Sequence, residues 1–388
     1  MDVTKPLLFY GDSYRSPDIY HTTGFLAPDA FIALEDGDEL VVLLNSLEFG
    51  RGTKESRATS VRNLDEFGFA ELGQKGLDRD EVVGTIITRL LTERGTTGVR
   101  VARYFPIGLA DRLRAAGIAI EIDPDIDSRR RAKRPDEIAA LEVAQRATEE
   151  AWAVGVDAIR RSTEGPLGVL MLDGEVFLAE RLRAIVEGAL LERGCNAPEQ
   201  TITAPGKQAA DPHANGSGPL HAREPIVMDI YPQHGASRYY ADFTRTVSKG
   251  TPADAIVRMY EVVRRAQDAG IAALRPGVTG QEVHEIVEDI IFAAGYDTLR
   301  PGHRHRPDDP VVRGLIHGTG HGVGLEIHEA PSLGRGKASR VPLEVGDVVT
   351  VEPGIYDPDI GGVRLEDMLL ITPGGSRNFT RAPRQLVV

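Results

Sequence analysis

Over residues 1–125, short apolar runs with a period of two alternate with stretches of helical period. Phe31-Ile-Ala-Leu34 and Leu40-Val-Val-Leu-Leu44 flank the polar turn Glu35-Asp-Gly-Asp38, the pattern of a β-hairpin. Asp80 to Arg94 reads as an amphipathic helix, Thr97 to Ala102 as a strand and Ile107 to Ala116 as a further helix. This pattern predicts an α/β domain, and no cluster of chemistry-bearing residues falls in it.

The pattern then breaks. Asp123 to Glu137 is charged, carries two prolines and has no apolar periodicity. The boundary is therefore set there: a domain over 1–126, a linker over 127–135 and a second domain over 136–388. Pro135 suits a first helical position, with Asp136 and Glu137 in the first turn. Ile138, Leu141, Trp152, Val156 and Ile159 keep roughly one face of a long helix. Glu175 to Arg193 predicts a second helix, ended by Gly194, and strands are expected at Gln200–Thr203, Ile226–Tyr231 and Tyr239–Val247. The order then recurs. Ala253–Leu274 predicts a helix closed by Pro276-Gly277, and Thr279 can cap another running to Ala294. Strands follow at Val348–Glu352 and Val363–Ile371. Two helix–helix–strand halves suggest an internal pseudo-repeat, although their sequences do not visibly match.

Composition narrows the class. Hydrophobic residues at 41% and charged residues at 27% are ordinary globular usage, which argues against disorder. The net charge of −13 argues against nucleic acid or an anionic membrane as the main partner. The basic run Arg129, Arg130, Arg131, Lys133, Arg134 reads as a solvated linker or an interface. The one cysteine, Cys195, can form no internal disulfide, so a reducing, cytoplasmic setting and a packing role are expected. The opening MDVTKPLLFYGD lacks a basic segment followed by an apolar one, so no leader is expected. No run reaches the ~18 apolar residues of a membrane span.

The second domain carries the chemistry. Asp229 ends the apolar run Ile226-Val-Met, and Asp242 lies in Ala241-Asp-Phe-Thr-Arg-Thr-Val247. Glu352 ends Val348-Val-Thr-Val, and Glu366 lies inside Val363 to Ile371. Ionising a carboxylate away from water is costly, so buried acids are rarely unpaired. Four of them need several cations, and the arginines nearby are few: Arg245 and Arg364. Metal ions are the simpler counter-charge. Strand alternation would put Arg364 with Glu366 on one face, and Asp242 with Thr244 and Thr246. The segment His317-Gly-Thr-Gly-His321-Gly-Val-Gly-Leu-Glu-Ile-His328-Glu329 sets three histidines among four glycines, which let backbone and substrate approach closely. His213 is a fourth candidate, whereas His303 and His305 read as ordinary loop histidines.

Here the residues resemble a family. His317 to Glu329 has the form of the aminopeptidase P and prolidase signature. With Asp229, Asp242, Glu352 and Glu366 the chain is similar to the Xaa-Pro aminopeptidase and Xaa-Pro dipeptidase metallopeptidases of the M24B family. The resemblance covers the whole chain, since Asp18-Ile-Tyr-His-Thr-Thr-Gly-Phe25 fits the usual opening of the creatinase-type N-domain. It implies an α+β protein: a pita-bread catalytic domain, a pseudo-symmetric curved antiparallel sheet covered by helices, after a smaller α/β N-terminal domain. It implies two divalent metal ions. Asp229 would chelate the first, Asp242 and Glu366 would bridge both, and His321 and Glu352 would complete the second. A mostly oxygen ligand set suits Mn²⁺ best, with Co²⁺, Zn²⁺ or Fe²⁺ as alternatives. It further implies hydrolysis of Xaa-Pro bonds in di- or oligopeptides by a metal-bridging hydroxide, releasing the N-terminal residue. Glu352 would accept the proton of the attacking water. His213, His317 and His328 would line the substrate side, with His213 and His328 stabilising the tetrahedral intermediate or protonating the leaving nitrogen. Arg364 would contact the substrate carboxylate or, preferably, hold a ligand in place. A homodimer is expected by the same resemblance.

The chain departs from the family pattern at one place. Asp229 is followed by Ile230-Tyr231 where the family reads Ile-Gly, and Asp242 lies 13 positions on rather than eleven. Odd parity is kept, so the longer turn Pro232 to Ser237, with His234 expected at its tip, need not change which way either acid faces. Pocket shape is affected more than metal binding. Two other readings remain: a metal-dependent relative acting on a small non-peptide compound, and a non-enzymatic binding protein. The intact ligand set argues against the second and against metal-free creatinase, and the extra N-terminal domain argues against methionine aminopeptidase.

Overall fold

The computed structural model describes residues 5–388. Residues 1–4, at the start of the stretch read as lacking a leader, lie outside the described residues. The chain divides into two compact units, Met1–Arg130 and Arg131–Val388.

Among the described residues, the first unit builds a six-stranded sheet. Its order is Ser60–Asn63, Glu39–Leu44, Phe31–Asp36, Leu7–Gly11, Gly98–Val101, Ala119–Ile122. The expected hairpin is there, with Ile32 opposite Leu43 and Asp36 opposite Glu39, leaving a two-residue turn. Alternation along these strands supplies two apolar faces. Leu8, Ile32, Leu34, Val41 and Leu43 pack with Ile86, Ile87 and Leu90 of the helix Arg79–Glu93. Leu7, Phe9, Phe31, Ala33, Val42 and Leu44 belong to the opposite cluster. Asp78 caps the helix by accepting from the Glu81 N–H.

Three residues of the basic run, Arg130, Arg131 and Lys133, are buried, while Arg129 is exposed. Arg130 is buried, with Nε 3.0 Å from Asp18 of its own unit. Arg131 and Lys133 are buried in the second unit, at 2.6 Å from Asp347 and 2.6 Å from Glu329. A buried cation needs an acid partner. Asp347 and Glu329 lie 216 and 196 residues from their partners along the chain, beyond any local pattern.

The second unit repeats one arrangement. The helices Pro135–Arg161 and Ala179–Glu192 bury Trp152, Val156, Leu182 and Val186 against Met228 and Phe243. The helices Asp254–Ala273 and Gly280–Ala293 pack Ala273 and Val283 with Val349, Val351 and Leu369. Below the first pair lies the antiparallel sheet Ile202–Pro205, Ile226–Ile230, Phe243–Val247. Below the second lies the sheet Glu329–Leu333, Gly320–Gly322, Val348–Val351, Asp367–Thr372, Gly375–Asn378. A further sheet includes Gly354–Asp357 and Gly361–Arg364. Among the described residues, no helix is long and apolar enough to cross a membrane.

Three expected elements change. The helix expected from Glu175 begins at Ala179, because Glu175–Val176 pairs with Leu170–Leu172 across Asp173-Gly174. Both turn residues take positive φ, 55° and 84°, which suits a tight hairpin. The strand expected from Tyr239 begins only at Phe243, which leaves Asp242 just before the ladder. The run Val363 to Ile371 is two strands of different sheets, Gly361–Arg364 and Asp367–Thr372, with Leu365-Glu366 between them. Strict alternation therefore does not relate Arg364 to Glu366. The Glu366 N–H instead donates to the Thr244 carbonyl, joining the two halves of the unit.

Candidate metal centre

The acids stand where strands end or change sheet. Asp229 is opposite Thr244 in the ladder. Asp242 lies just before the ladder, and across the longer turn it lines the same cavity as Asp229. The turn itself differs from expectation. His234 pairs with Cys195 in a short ladder, and residues 235–238 form the tip. Glu352 lies one residue past the ladder Val348–Val351, and its N–H donates to the Thr319 carbonyl.

The glycines around His321 serve the backbone. A Cβ on Gly320 would sit 2.0 Å from the Thr350 carbonyl oxygen, and one on Gly322 would sit 2.4 Å from that of Ala330. Only glycine lets the His321 strand lie between those two neighbours.

All nine residues nominated from the sequence line one cavity of about 550 Å³. Asp242, His321 and Glu366 each offer a ligand atom within 4.8 Å of the others. His321 Nε2 lies 3.4 Å from Asp242 Oδ2 and 3.5 Å from Glu352 Oε1. Its Nδ1 is 3.1 Å from the Gly322 carbonyl, which fits an Nδ1–H donor and leaves Nε2 free to coordinate. Thr244 donates to Glu366 Oε2 at 2.8 Å.

The acids of the cluster crowd one another away from water, which is electrostatically unfavourable. Burial, then the charge of Glu366, pushes Asp242 well above the usual carboxylate range. Glu352 is raised by the same two causes. Glu366 rises to about 8, from burial and then Asp229. Burial lowers both His317 and His321 to about 3, with Arg364 and His328 respectively adding to it, so both rings are neutral at pH 7. Asp229 Oδ1 is buried with no hydrogen-bond partner. Crowded acids, a neutral imidazole and an orphaned carboxylate oxygen fit a divalent cation.

Arg364 and Tyr356 tie the cavity wall together. Arg364 is buried and donates to Asp229 Oδ2 at 2.6 Å and to Tyr356 Oη at 2.8 Å, with Nε 3.4 Å from Thr244 Oγ1. Its guanidinium is therefore shared among Asp229, Tyr356 and Thr244. Tyr356 is in turn 2.8 Å from His317 Nε2, and His317 Nδ1 is 2.7 Å from the Gly318 carbonyl. Both nitrogens of His317 are engaged, so it acts as a wall of the cavity. His213 and His328 are the exposed histidines of the lining, with the His328 ring edge-on to His321 at 4.3 Å. Sequence reading missed Tyr356, Glu199 and Ser332: Tyr356 reaches the wall through Arg364 and His317, and Glu199 and Ser332 line the cavity from segments far apart along the chain. Tyr231, which stands where the family has glycine, lines the cavity. Arg245 is buried on Asp367 and neighbouring carbonyls. Cys195 is buried, and burial pushes its thiol up to about 11, in keeping with a packing role.

Carboxylates and an imidazole converge at strand ends, under paired helices, as a site for a divalent metal ion requires. The model of metallopeptidase family M24 matches residues 139–373. The chain belongs to that family, and the second unit has its pita-bread fold. An Xaa-Pro dipeptidase of Lactobacillus helveticus is 32% identical over 275 residues, 70% of this chain and 66% of that protein. The match thus spans just under two thirds of that relative. An Xaa-Pro dipeptidase of Pyrococcus horikoshii is 28% identical over 380 residues, 96% of this chain and 93% of that one. The solved prolidase of Pyrococcus horikoshii superposes with a TM-score of 0.76 at 27% identity, covering 99% of this chain and 96% of that one. The X-Pro aminopeptidase of Thermotoga maritima shares the fold with a TM-score of 0.79 at 22% identity, covering 99% and 97%.

Proposed function

We propose that the chain is a metallo-exopeptidase that hydrolyses Xaa-Pro bonds and releases the residue before proline. One observation carries this reading: nine residues spread from His213 to Glu366 line a single cavity, with ligand atoms of Asp242, His321 and Glu366 within 4.8 Å of one another. The relatives, named Xaa-Pro dipeptidases, supply the bond.

Two divalent ions, Mn²⁺ above others, fit this ligand set. Asp229 would hold one, Asp242 and Glu366 both, and His321 with Glu352 the other. When bound, such ions polarise the scissile carbonyl and acidify a water. The protein's own groups do the rest. Glu352, whose Oε1 lies 3.5 Å from His321 Nε2 at the centre of the cluster, would accept the proton of the attacking water. Arg364 holds Asp229 in place by donating to its Oδ2. His213 and His328, on the exposed side of the lining, face the carbonyl oxygen and the leaving nitrogen. The Xaa-Pro bond is a tertiary amide without an N–H. A cavity that holds the ring therefore accepts what an extended-strand binding groove rejects. The substrate is a di- or oligopeptide, the working form a homodimer, and the setting cytoplasmic.

The test is a panel of Xaa-Pro and Xaa-Pro-Yaa peptides assayed with Mn²⁺, Co²⁺ and Zn²⁺, with metal content measured on the same samples. Glu366→Ala should lose bound metal and activity together. A Glu366→Ala protein that keeps two metals and full activity would sink the assignment. Light scattering on a sizing column decides the oligomer.

A further inference from the structure

Behind the metal centre lies a second buried polar chain that takes no part in the chemistry above. The helix Gly280–Ala293 carries His284 and, one turn on, Glu288, exposed by 3% and 0%. His284 Nε2 lies 3.4 Å from Glu288 Oε1. Arg335 closes on Glu288 from the other side, with Nε donating to Oε1 at 3.2 Å and its terminal nitrogen to Oε2. The other nitrogen of His284, Nδ1, is 2.9 Å from the Thr319 hydroxyl. A carboxylate, an imidazole and a hydroxyl in line resemble a nucleophile with its base, but Thr319 is fully buried and absent from the cavity lining. No substrate atom can reach it.

Thr319 occupies the middle of the His317–His321 segment, and every polar group it has is taken. Its N–H donates to the Leu333 carbonyl at 2.7 Å, and its carbonyl accepts the Glu352 N–H at 2.7 Å. Its hydroxyl meets His284 and can donate or accept, so the bond survives either protonation state of the ring. One residue thus joins the glycine-rich strand, the Glu352 backbone and the inner face of the helix Gly280–Ala293.

We propose that Thr319, backed by His284, Glu288 and Arg335, is a positioning residue for the metal centre. It sets the backbone that presents His321 and the backbone that presents Glu352. The glycines on either side, Gly318 and Gly320, supply no side-chain packing of their own, so the segment depends on this anchor. Buried polar networks specify one arrangement when every member is satisfied, and removing one member leaves its partner unpaired. The inference rests on the metallohydrolase reading of the site.

The test compares Thr319→Val, which keeps the shape and removes the hydroxyl, with Thr319→Ser, which keeps the hydroxyl. Three readouts are taken on the full chain: Mn²⁺ affinity by calorimetric titration, kcat and KM on an Xaa-Pro dipeptide, and the Tm of the metal-free protein. Thr319→Val should weaken Mn²⁺ binding and lower kcat, each by about 10- to 100-fold, the usual range for groups that orient metal ligands. KM should move far less than kcat, and Thr319→Ser should recover most of both losses. A Thr319→Val protein with wild-type Mn²⁺ affinity and kcat overturns the proposal, and so does a Thr319→Ser protein as impaired as Thr319→Val. If Thr319→Val does not fold, His284→Gln takes its place, long enough to reach Glu288 but without the Thr319 contact. It should show the same losses in Mn²⁺ affinity and kcat, and wild-type values for both would again overturn the proposal. Failure of the underlying reading looks different: the wild-type protein itself would bind no Mn²⁺ and cleave no Xaa-Pro bond.

Discussion

At the scale of single residues, the centre is a charge problem solved by position. Three buried acids hold protons more tightly than free carboxylates do, and among the described residues the only arginine lining the cavity is spent on Asp229. The metal-free protein should therefore respond to pH in a defined direction. An acid whose folded pKa is raised binds more protons folded than unfolded between the two values, so stability falls as pH rises through that window. For Glu366 the window closes near 8. His317 and His321, lowered to about 3, act with the opposite sign only below the ordinary imidazole range. Between about pH 6.5 and 8 the protein stripped with chelator should lose up to about 1.4 kcal/mol per pH unit for Glu366. Excess Mn²⁺ should abolish the slope, and denaturant unfolding at several pH values measures both. Arg364→Met should leave the Asp229 carboxylate buried without its counter-charge. Metal-free stability should drop by about 3–5 kcal/mol, as for a broken buried pair, and kcat should fall with it. An Arg364→Met variant that raises KM alone would instead assign the guanidinium to the substrate.

At the scale of elements, close backbone approach decides what can be changed. Gly320 lies against the Thr350 carbonyl, and Gly280 lies against that of Ser332, each with 2.0 Å left for a Cβ. Gly320→Ala should push the His321 strand away from Val348–Val351. The expected cost is about 1–3 kcal/mol or more, as for overpacking elsewhere, with Mn²⁺ affinity reduced in the same variant. Gly174→Ala, at a positive-φ turn of the Leu170–Leu172 hairpin with open space around it, should cost stability through backbone strain and leave metal binding unchanged. Calorimetric titration alongside thermal unfolding separates the two cases.

At the scale of the whole molecule, the charged stretch after the first unit is held by burial. Lys133 and Glu329 have side chains exposed by only 2% each, and Glu329 directly follows His328. Lys133→Met should lower stability by about 3–5 kcal/mol, a loss read in denaturant unfolding, where a solvated linker residue would give almost none. The same variant should disturb turnover through the His328 segment, which a kcat measurement below the unfolding range checks.

The helix Pro135–Arg161, the capped helix Gly280–Ala293 and the Phe31–Leu44 hairpin are legible in the sequence because their signals are local: a proline at N1, a threonine N-cap, a polar turn between apolar runs. The second strand of the Leu170–Val176 hairpin reads as helix because its Asp-Gly turn sits beside a helical apolar run. The site residues are legible for a different reason. Four acids in apolar runs and three histidines among glycines are chemically anomalous, and an anomaly marks a residue without saying what it faces. Tyr356, Thr319 and the acids paired with Arg131 and Lys133 carry no such mark. Their roles are made by neighbours far along the chain.

The sequence by itself marked most of the helices and strands, the break between two units, and the acids and histidine that stand out chemically, because burial and charge penalties act on each residue wherever it lies. Only the tertiary structure decided that Glu366 stands between two sheets, that Arg364 serves Asp229, and that Thr319 carries Glu352. Those are distances between segments brought together by packing, and packing depends on every side chain at once.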